Sequence, residues 1–354
     1  MGMGNKVLVG MSGGVDSAVA AALLKARGFE VTGVTLKLWD AETESGCCSL
    51  ADTEDARHVA QRLDIPFYVL NFKDLFREKV VDAFVKAYLA GETPNPCLAC
   101  NDAIKFRGML EKARAIGMDF IATGHYARTA LDPETGRRLL LKAADPKKDQ
   151  SYVLYGLTQD QLSMTLFPLG DMEKPQVRAL AAKLGFSVSQ KPDSQDICFV
   201  GDGHYAAFIE TYTHVRAEAG NFIDREGRVL GKHRGLIHYT VGQRKHLGAS
   251  FGKRMVVLAK SVRDNTVMVG DEAEAYVSTA IAKQPNWIRW DTPPALFRAG
   301  VRTRYHGQEA DATVEPLGDG TVRITFDASQ RAITPGQAAV FYQGDVVLGG
   351  ATLV

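Results

Sequence analysis

The stretch Lys6-Val7-Leu8-Val9-Gly10-Met11-Ser12-Gly13-Gly14-Val15-Asp16-Ser17 decides how this chain folds. Lys6 to Met11 reads as a short apolar strand, and over Asp16 to Arg27 the residues Val19, Ala22, Leu23 and Ala26 recur at helical spacing. The glycines between them make a tight turn. Its backbone N–H groups and the hydroxyls of Ser12 and Ser17 suit a pyrophosphate, and the start of a helix adds a favourable field for an anion. The loop is not a Walker A sequence, because no Gly-Lys-Ser/Thr follows, and it is not a Gly-x-Gly-x-x-Gly dinucleotide turn. A Walker loop clamps phosphates for γ-phosphoryl transfer, whereas Ser-Gly-Gly suits holding pyrophosphate while the α-phosphorus is attacked. ATP is therefore the expected co-substrate, with Asp16 either holding Mg²⁺ or fixing the loop.

Working outward, Val31 to Leu36 is a second strand, followed by a loop with Gly46, Cys47 and Cys48 and a helix capped by Asp52 or Thr53 and running to Leu63. Phe67 to Leu70 and Phe120 to Thr123 read as further strands, with a helix from Phe76 to Leu89 between them. Strands alternating with helices predict an α/β fold: a mainly parallel, Rossmann-like nucleotide-binding domain, its sheet covered on both faces. Met11 and Leu36 sit at strand ends where an adenine pocket can form, and Gly124 ends the strand before His125-Tyr126. A hairpin is expected around Asp132 to Gly136, and a helix over Lys174 to Leu184 with Pro175 tolerated in its first turn. This domain is expected to span 1–205. From about Phe222 helical periodicity fades into short strands separated by turns such as Asp224 to Gly227, Gly318 to Gly320 and Gln343 to Asp345. That pattern predicts a small mixed β-rich domain over 206–275 and a C-terminal β-barrel over 276–354.

The 354 residues carry a formal charge of +1, so net charge does not call for a nucleic-acid partner. Local charge does: Arg225 to Arg254 holds eight Lys/Arg against the single acidic Glu226, a face able to meet phosphates or simply to sit in solvent. No run of about 20 apolar residues occurs and no secretory leader opens the chain, which points away from a membrane and toward a soluble cytoplasmic enzyme. A monomer is the default expectation.

Five cysteines, Cys47, Cys48, Cys97, Cys100 and Cys198, are an odd number for a structural disulfide set. Cys97-Leu98-Ala99-Cys100 precedes a helical pattern of Phe106, Met109, Leu110, Ala113 and Ile116, so Cys100 lies near a helix start that favours thiolate. Cys198 falls in a polar segment far along the chain. Cys97 and Cys100 have half the spacing of a zinc site, but no convincing second pair exists, so no protein zinc site is expected. Inert buried thiols are a second reading. The third is thiol chemistry, with one cysteine attacking and another carrying or resolving sulfur.

The loop itself resembles the ATP pyrophosphatase (PP-loop) superfamily. Further markers run from end to end: Thr93-Pro94-Asn95-Pro96, Cys100-Asn101, Ile104-Lys105-Phe106, Ala122-Thr123-Gly124-His125-Tyr126-Ala127, Lys148-Asp149-Gln150-Ser151-Tyr152, Lys191-Pro192-Asp193-Ser194-Gln195-Asp196-Ile197-Cys198-Phe199, Gly242-Gln243-Arg244-Lys245 and Thr334-Pro335-Gly336-Gln337. With these the chain resembles the tRNA-specific 2-thiouridylase family of bacterial or mitochondrial type. The resemblance implies ATP-dependent 2-thiolation of the wobble uridine in tRNAs for Lys, Glu and Gln, with Mg²⁺ and no tightly bound organic cofactor. It implies ATP contacts at Gly10, Met11, Ser12, Gly13, Gly14, Val15, Asp16, Ser17, Leu36 and Gly124. Cys198 would carry a persulfide drawn from a sulfur-relay protein or cysteine desulfurase. Cys100 would be the nucleophile, and the two would close a disulfide during turnover.

The same resemblance places Asn95, Pro96 and Cys97 at the target base, and His125, Lys148, Asp149, Gln150, Arg304, Tyr305 and Gln337 on the tRNA, joined by Arg244 and Lys245 from the basic segment. Two positions depart from the pattern: Cys97, where many members carry Asp, and His246, where glycine is common. Trp287 and Trp290 are expected to pack the barrel rather than stack on nucleotides. The competing readings are another adenylating synthetase of the superfamily, which would need a glutaminase nucleophile this chain lacks, and an inactive tRNA-binding protein.

Overall fold

Lys6–Gly10 forms β1, which pairs in parallel with β2 (Glu30–Lys37) on one side and β4 (Phe120–Ala122) on the other. The computed structural model describes residues 4–39, 49–193, 197–200 and 204–354. With β3 (Phe67–Asn71) and β7 (Thr165–Leu166) the sheet runs β3-β2-β1-β4-β7. Strand side chains alternate between faces. Val7 and Val9 therefore enter a core with Val19 of α1 (Val15–Ala26), Val59 of α2 (Leu50–Arg62) and Val177 of the Lys174–Lys183 helix. Leu8 enters the opposite core with Phe106, Met109 and Leu110. A central parallel strand is covered on both faces, which is why β1 reads as an unbroken apolar run.

α2 begins one turn earlier than Asp52 or Thr53. Ser49 is its cap: the Ser49 hydroxyl accepts the Asp52 N–H at 3.1 Å, and the Asp52 carboxylate accepts the Ser49 N–H at 3.2 Å. Asp52 is the third residue of the helix, reaching back as the partner half of a capping box. Two long helices follow β3, over 73–89 and 96–115. Each opens with an α turn, widens into π geometry at Arg77–Asp82 or Cys100–Gly108, and closes as α-helix. The first thus starts at Lys73, ahead of Phe76. They cross closely at Gly108, where a Cβ would lie 2.6 Å from the Phe72 ring.

The expected hairpin is β5 (Arg128–Leu131) and β6 (Arg138–Leu141), but β6 pairs with β17 (Val346–Leu353), making the hairpin an extension of the C-terminal sheet. The middle sheet runs β10-β11-β8-β9, from β8 (Gly220–Ile223), β9 (Val229–His233), β10 (Val256–Ser261) and β11 (Thr266–Gly270), with β8 and β11 parallel. At the C-terminus β12 (Tyr276–Trp287), β15 (Thr321–Arg331), β14 (Ala310–Pro316), β13 (Phe297–Arg302), β16 (Ala338–Gln343) and β17 close into a six-stranded antiparallel barrel through a β12–β17 pairing. Trp287 stacks on Phe341 at 5.7 Å and Trp290 lies 5.0 Å from Phe297, so both indoles pack the barrel as expected. Among the described residues no helix is long and apolar enough to cross a membrane.

Candidate active site

The loop from β1 to α1 needs its glycines for space as well as for conformation. Gly13 has φ +71°, and a Cβ there would stand 2.2 Å from the Asp52 carbonyl oxygen. Gly14 caps α1 in an extended conformation and supplies no side chain, so the helix start presents backbone N–H groups rather than a hydroxyl or carboxylate. Ser17 Oγ donates to the Gly14 carbonyl at 3.1 Å and accepts the Ser12 N–H at 3.2 Å. Gly124 brings the end of β4 onto this turn, since a Cβ there would meet Ser17 N at 2.7 Å. Thr35 Oγ1 donates to the Met11 carbonyl at 2.7 Å, tying β2 to the loop's base; Met11 is buried and Leu36 half-buried on that neighbouring strand. The residues from Gly10 to Ser17 and Gly124 are thus gathered at one helix start, a geometry that binds phosphate groups.

Behind the loop runs an ionic network. The Asp16 carboxylate accepts Lys174 Nζ at 2.7 and 2.8 Å and the Tyr126 hydroxyl at 2.7 Å. Among the described residues no group of three His, Cys, Asp or Glu side chains is placed to hold a metal ion. Lys174 Nζ also lies 2.7 Å from Asp193, whose carboxylate takes Lys148 at 2.7 Å and Arg178 at 3.1 Å. Lys191 Nζ donates to the Gly13 carbonyl at 3.2 Å and to Asp52 and Asp55 at 2.6 Å each. Burial pushes the Tyr126 phenol up, and the neighbouring Asp16 charge adds to it. Burial also raises the Asp193 carboxyl, but hydrogen bonds from Lys148 and Lys174 outweigh it and hold the group below the usual carboxylate range. Sequence reasoning singled out neither Lys174 nor the pairing role of Lys191 and Asp193. The last two stand inside a quoted motif, whereas Lys174 shows only as a helix start.

The 96–115 helix delivers the cysteines. Asn95 Oδ1 caps it by accepting the Cys97 N–H at 3.0 Å. Cys97 is exposed in the first turn, and Cys100 is buried one turn later, where the π segment begins. Cys198 is half-buried and borders the same apolar cluster as Cys100. Its neighbour Phe199 anchors that segment, with rings 5.3 Å from Phe84, 5.7 Å from Phe76 and 6.4 Å from Trp39. Cys47, Cys48 and the motif residues Ser194, Gln195 and Asp196 lie outside the described residues.

The residues expected on tRNA divide into two groups. Asn95, Pro96, Cys97, Gln150 and Tyr305 come together: Gln150 hydrogen-bonds Tyr305, and the Tyr305 phenol, pushed up chiefly by burial, also feels Cys97. Others are engaged within the protein. His125 is buried, its Nδ1 2.8 Å from Thr123 Oγ1 and its ring 5.6 Å from Phe106; burial holds it neutral, helped by the Lys105 charge. Asp149 is buried, accepting N–H bonds from Ala143 and Ser151 and pairing with Arg302 at 3.2 Å. Lys148 is held by Asp193. Arg304 donates to the Ala332 carbonyl at 2.6 Å, and Gln337 Nε2 to the Thr93 carbonyl at 2.6 Å. Gln337 thereby fastens the barrel to the loop preceding Asn95, a tie doubled by the Thr93 N–H bond to the Pro335 carbonyl at 2.8 Å. Arg244, 3.8 Å from Glu272, and Lys245 are exposed.

Comparison with known proteins covers the whole chain. Residues 5–202 match a family model described as a tRNA methyl transferase HUP domain, 206–271 a tRNA methyl transferase PRC-barrel domain, and 277–353 an aminomethyltransferase beta-barrel domain. A Clostridioides difficile protein named tRNA-specific 2-thiouridylase MnmA is 51% identical over 357 residues, covering 100% of this chain and 99% of that protein. Proteins of the same name from Acetivibrio thermocellus and Moorella thermoacetica are 52% and 53% identical. The first covers 98% of this chain and 99% of its own length, the second 98% of each.

Proposed function

This chain belongs to the tRNA-specific 2-thiouridylase family, and from that premise we propose how its residues perform the reaction. It is a tRNA-uridine 2-sulfurtransferase, replacing the C2 oxygen of a tRNA uridine by sulfur. A pyrimidine carbonyl oxygen is a poor leaving group until it is esterified to phosphorus. The uridine O2 therefore attacks the α-phosphorus of ATP, and pyrophosphate leaves into the Ser12–Ser17 loop, where helix-start N–H groups offset its charge; a Mg²⁺ bound with the nucleotide would share that charge. Cys198 carries the incoming sulfur as a persulfide donated by a sulfur-relay protein or cysteine desulfurase. In one route the Cys100 thiolate attacks Cys198 Sγ, hydrosulfide departs, and hydrosulfide displaces AMP from C2. In the other the terminal persulfide sulfur attacks C2 with loss of AMP, and Cys100 then cleaves the resulting disulfide link to the base. Both end in a Cys100–Cys198 disulfide that an external thiol reduces.

The substrate base is the wobble uridine of tRNAs for Lys, Glu and Gln, received beside Asn95, Pro96 and Cys97, with Gln150 and Tyr305 close by. Arg244 and Lys245 meet the tRNA backbone, where charge positions the substrate without reading sequence. The observation that carries this reading is that Cys100 and Cys198, far apart in the chain, border one apolar cluster in a protein whose first helix starts with an anion-binding loop.

Nucleoside mass spectrometry of unmodified glutamate tRNA incubated with protein, ATP, Mg²⁺ and either a persulfide donor or free sulfide tests it. With the persulfide donor, ATP-dependent 2-thiouridine is expected from the wild type and none from Cys100→Ser or Cys198→Ser; with free sulfide in its place, which attacks the adenylated C2 directly, both variants should regain product. In the same assay, reversing Arg244 and Lys245 to Glu should weaken tRNA binding and leave ATP binding alone. No 2-thiouridine from a competent tRNA and donor would reject the reading.

A further inference from the structure

Phe199 has no role in the chemistry above, yet it is the residue next to Cys198 and is only 6% exposed. Ile197, Cys198, Phe199 and Val200 form a tight turn, closed by the Val200 N–H donating to the Ile197 carbonyl at 3.0 Å. Cys198 stands half-buried at the first corner of that turn, while Phe199 at the second corner and Val200 after it are sunk into the protein. Ordering so short a turn costs conformational entropy that its one internal bond cannot offset, so its place is set by what its apolar side chains dock into.

Phe199 docks among four aromatic rings. Phe84 lies 5.3 Å away at 89° and Phe76 5.7 Å away at 78°, both edge-to-face; Phe208 lies 5.3 Å away and Trp39 6.4 Å away. Edge-to-face contact is a preferred arrangement of aromatic pairs, so this seat specifies how the ring is turned as well as keeping it from water. Phe76 and Phe84 are eight residues apart on the helix over 73–89, and in an unbroken α-helix they would point about 80° apart. The wider π segment at Arg77–Asp82 changes that phase, and both rings meet Phe199. Trp39 follows β2, and Phe208 belongs to the Tyr205–Thr213 helix.

The seat also bears on a distance. Cys100 is buried in the same apolar cluster as Phe76, Phe84 and Phe199, and Cys198 packs against that cluster. Both routes to product end in a Cys100–Cys198 bond, which requires the two Cα atoms within about 7 Å of each other. Successive Cα atoms are about 3.8 Å apart, so a held Phe199 leaves Cys198 little room to wander.

We infer that Phe199 is a positioning residue, whose seat among Trp39, Phe76, Phe84 and Phe208 holds the Cys198 turn in register with Cys100 for sulfur transfer. The inference rests on reading Cys198 as the sulfur carrier. Its consequence is selective: losing the seat harms the steps that pass through Cys198, whereas adenylation and attack by free sulfide do not need it.

The test uses the full-length protein and two readouts. The first is the rate at which diamide closes the Cys100–Cys198 disulfide, followed by peptide mass spectrometry; two thiols are oxidised and the diazene is reduced to a hydrazine. Phe199→Ala should close it at least about tenfold more slowly than the wild type, since a misplacement of about 1 Å can cost about a hundredfold. The second readout is thiolation. With the persulfide donor, Phe199→Ala should lose at least about tenfold in kcat at nearly unchanged KM for ATP, and Phe199→Leu, which keeps an apolar anchor, should recover most of that loss. With free sulfide, Phe199→Ala should match the wild type, a split that a merely structural role would not produce. Equal disulfide rates in Phe199→Ala and the wild type overturn the inference, as does an equal loss with both sulfur sources. A wild type that closes the disulfide but makes no 2-thiouridine overturns the functional reading, and the register then stands or falls on the disulfide rate alone. If melting curves show Phe199→Ala to be unfolded, Phe208→Ala, which removes one wall of the seat, is read in its place with the same outcomes.

Discussion

At Gly13 two constraints coincide, a left-handed φ and a neighbouring carbonyl where a side chain would go. A left-handed conformation alone costs an ordinary residue about 1–2 kcal/mol, and the Asp52 carbonyl cannot retreat without shifting the capped start of α2. Gly13→Ala should therefore weaken ATP binding by more than about tenfold by calorimetry, the equivalent of that strain. A different residue-scale effect sits at Lys260, where burial depresses the ammonium from 10.5 to about 8. Between those values the unfolded chain binds the proton and the folded one does not, so this group's contribution to stability rises with pH. Relative to Lys260→Met, the wild type should gain stability in urea titrations as pH climbs from 8 to 10.5, with no such trend below 8. The glycine loop was legible in the sequence because its pattern is local. Lys174 was not, since its two carboxylate partners are 158 and 19 residues away in the chain and nothing nearby marks the lysine as buried.

The helix over 96–115 carries Cys97 and Cys100 near its start, and the cap decides how firmly that start is held. Asn95→Ala removes the acceptor for the Cys97 N–H and should cost about 1 kcal/mol in stability, the usual loss for an N-cap. The apolar spacing of Phe106, Met109, Leu110 and Ala113 announced this helix, but the π segment that begins at Cys100 left no mark on it. Widening a turn depends on what packs against it, here Phe72 and Leu75 against Gly108. Ser49 was missed as the cap of α2 for a simpler reason: Asp52, the more conspicuous capping residue, serves as its reciprocal partner three positions later.

Across the molecule, the nucleotide sheet and the barrel share a core. Leu8 and Val34 lie in one apolar cluster with Tyr152, Val340, Tyr342 and Val347, while β6 hydrogen-bonds β17 and Thr93 is fastened to Pro335 and Gln337. The two parts should melt together. Phe341→Ala, emptying a fully buried site in the barrel, should cost about 3–5 kcal/mol. In calorimetry it should shift a single transition, lowering the loss of ATP binding along with that of barrel structure; two separate transitions would contradict the shared core.

The strand, glycine loop and helix at the N-terminus, the alternation behind the parallel sheet and the short strands of the barrel were all determined by the sequence itself. Each depends on residues close enough in the chain to form a pattern. Which polar residues are held within the fold was decided only by tertiary structure. His125 and Asp149 belong to quoted motifs, yet one is held neutral against Phe106 and the other is buried against Arg302; Gln337 fastens the barrel to Thr93. Burial and charge pairing are properties of groups brought together from distant parts of the chain, and no local pattern encodes a partner that only folding supplies.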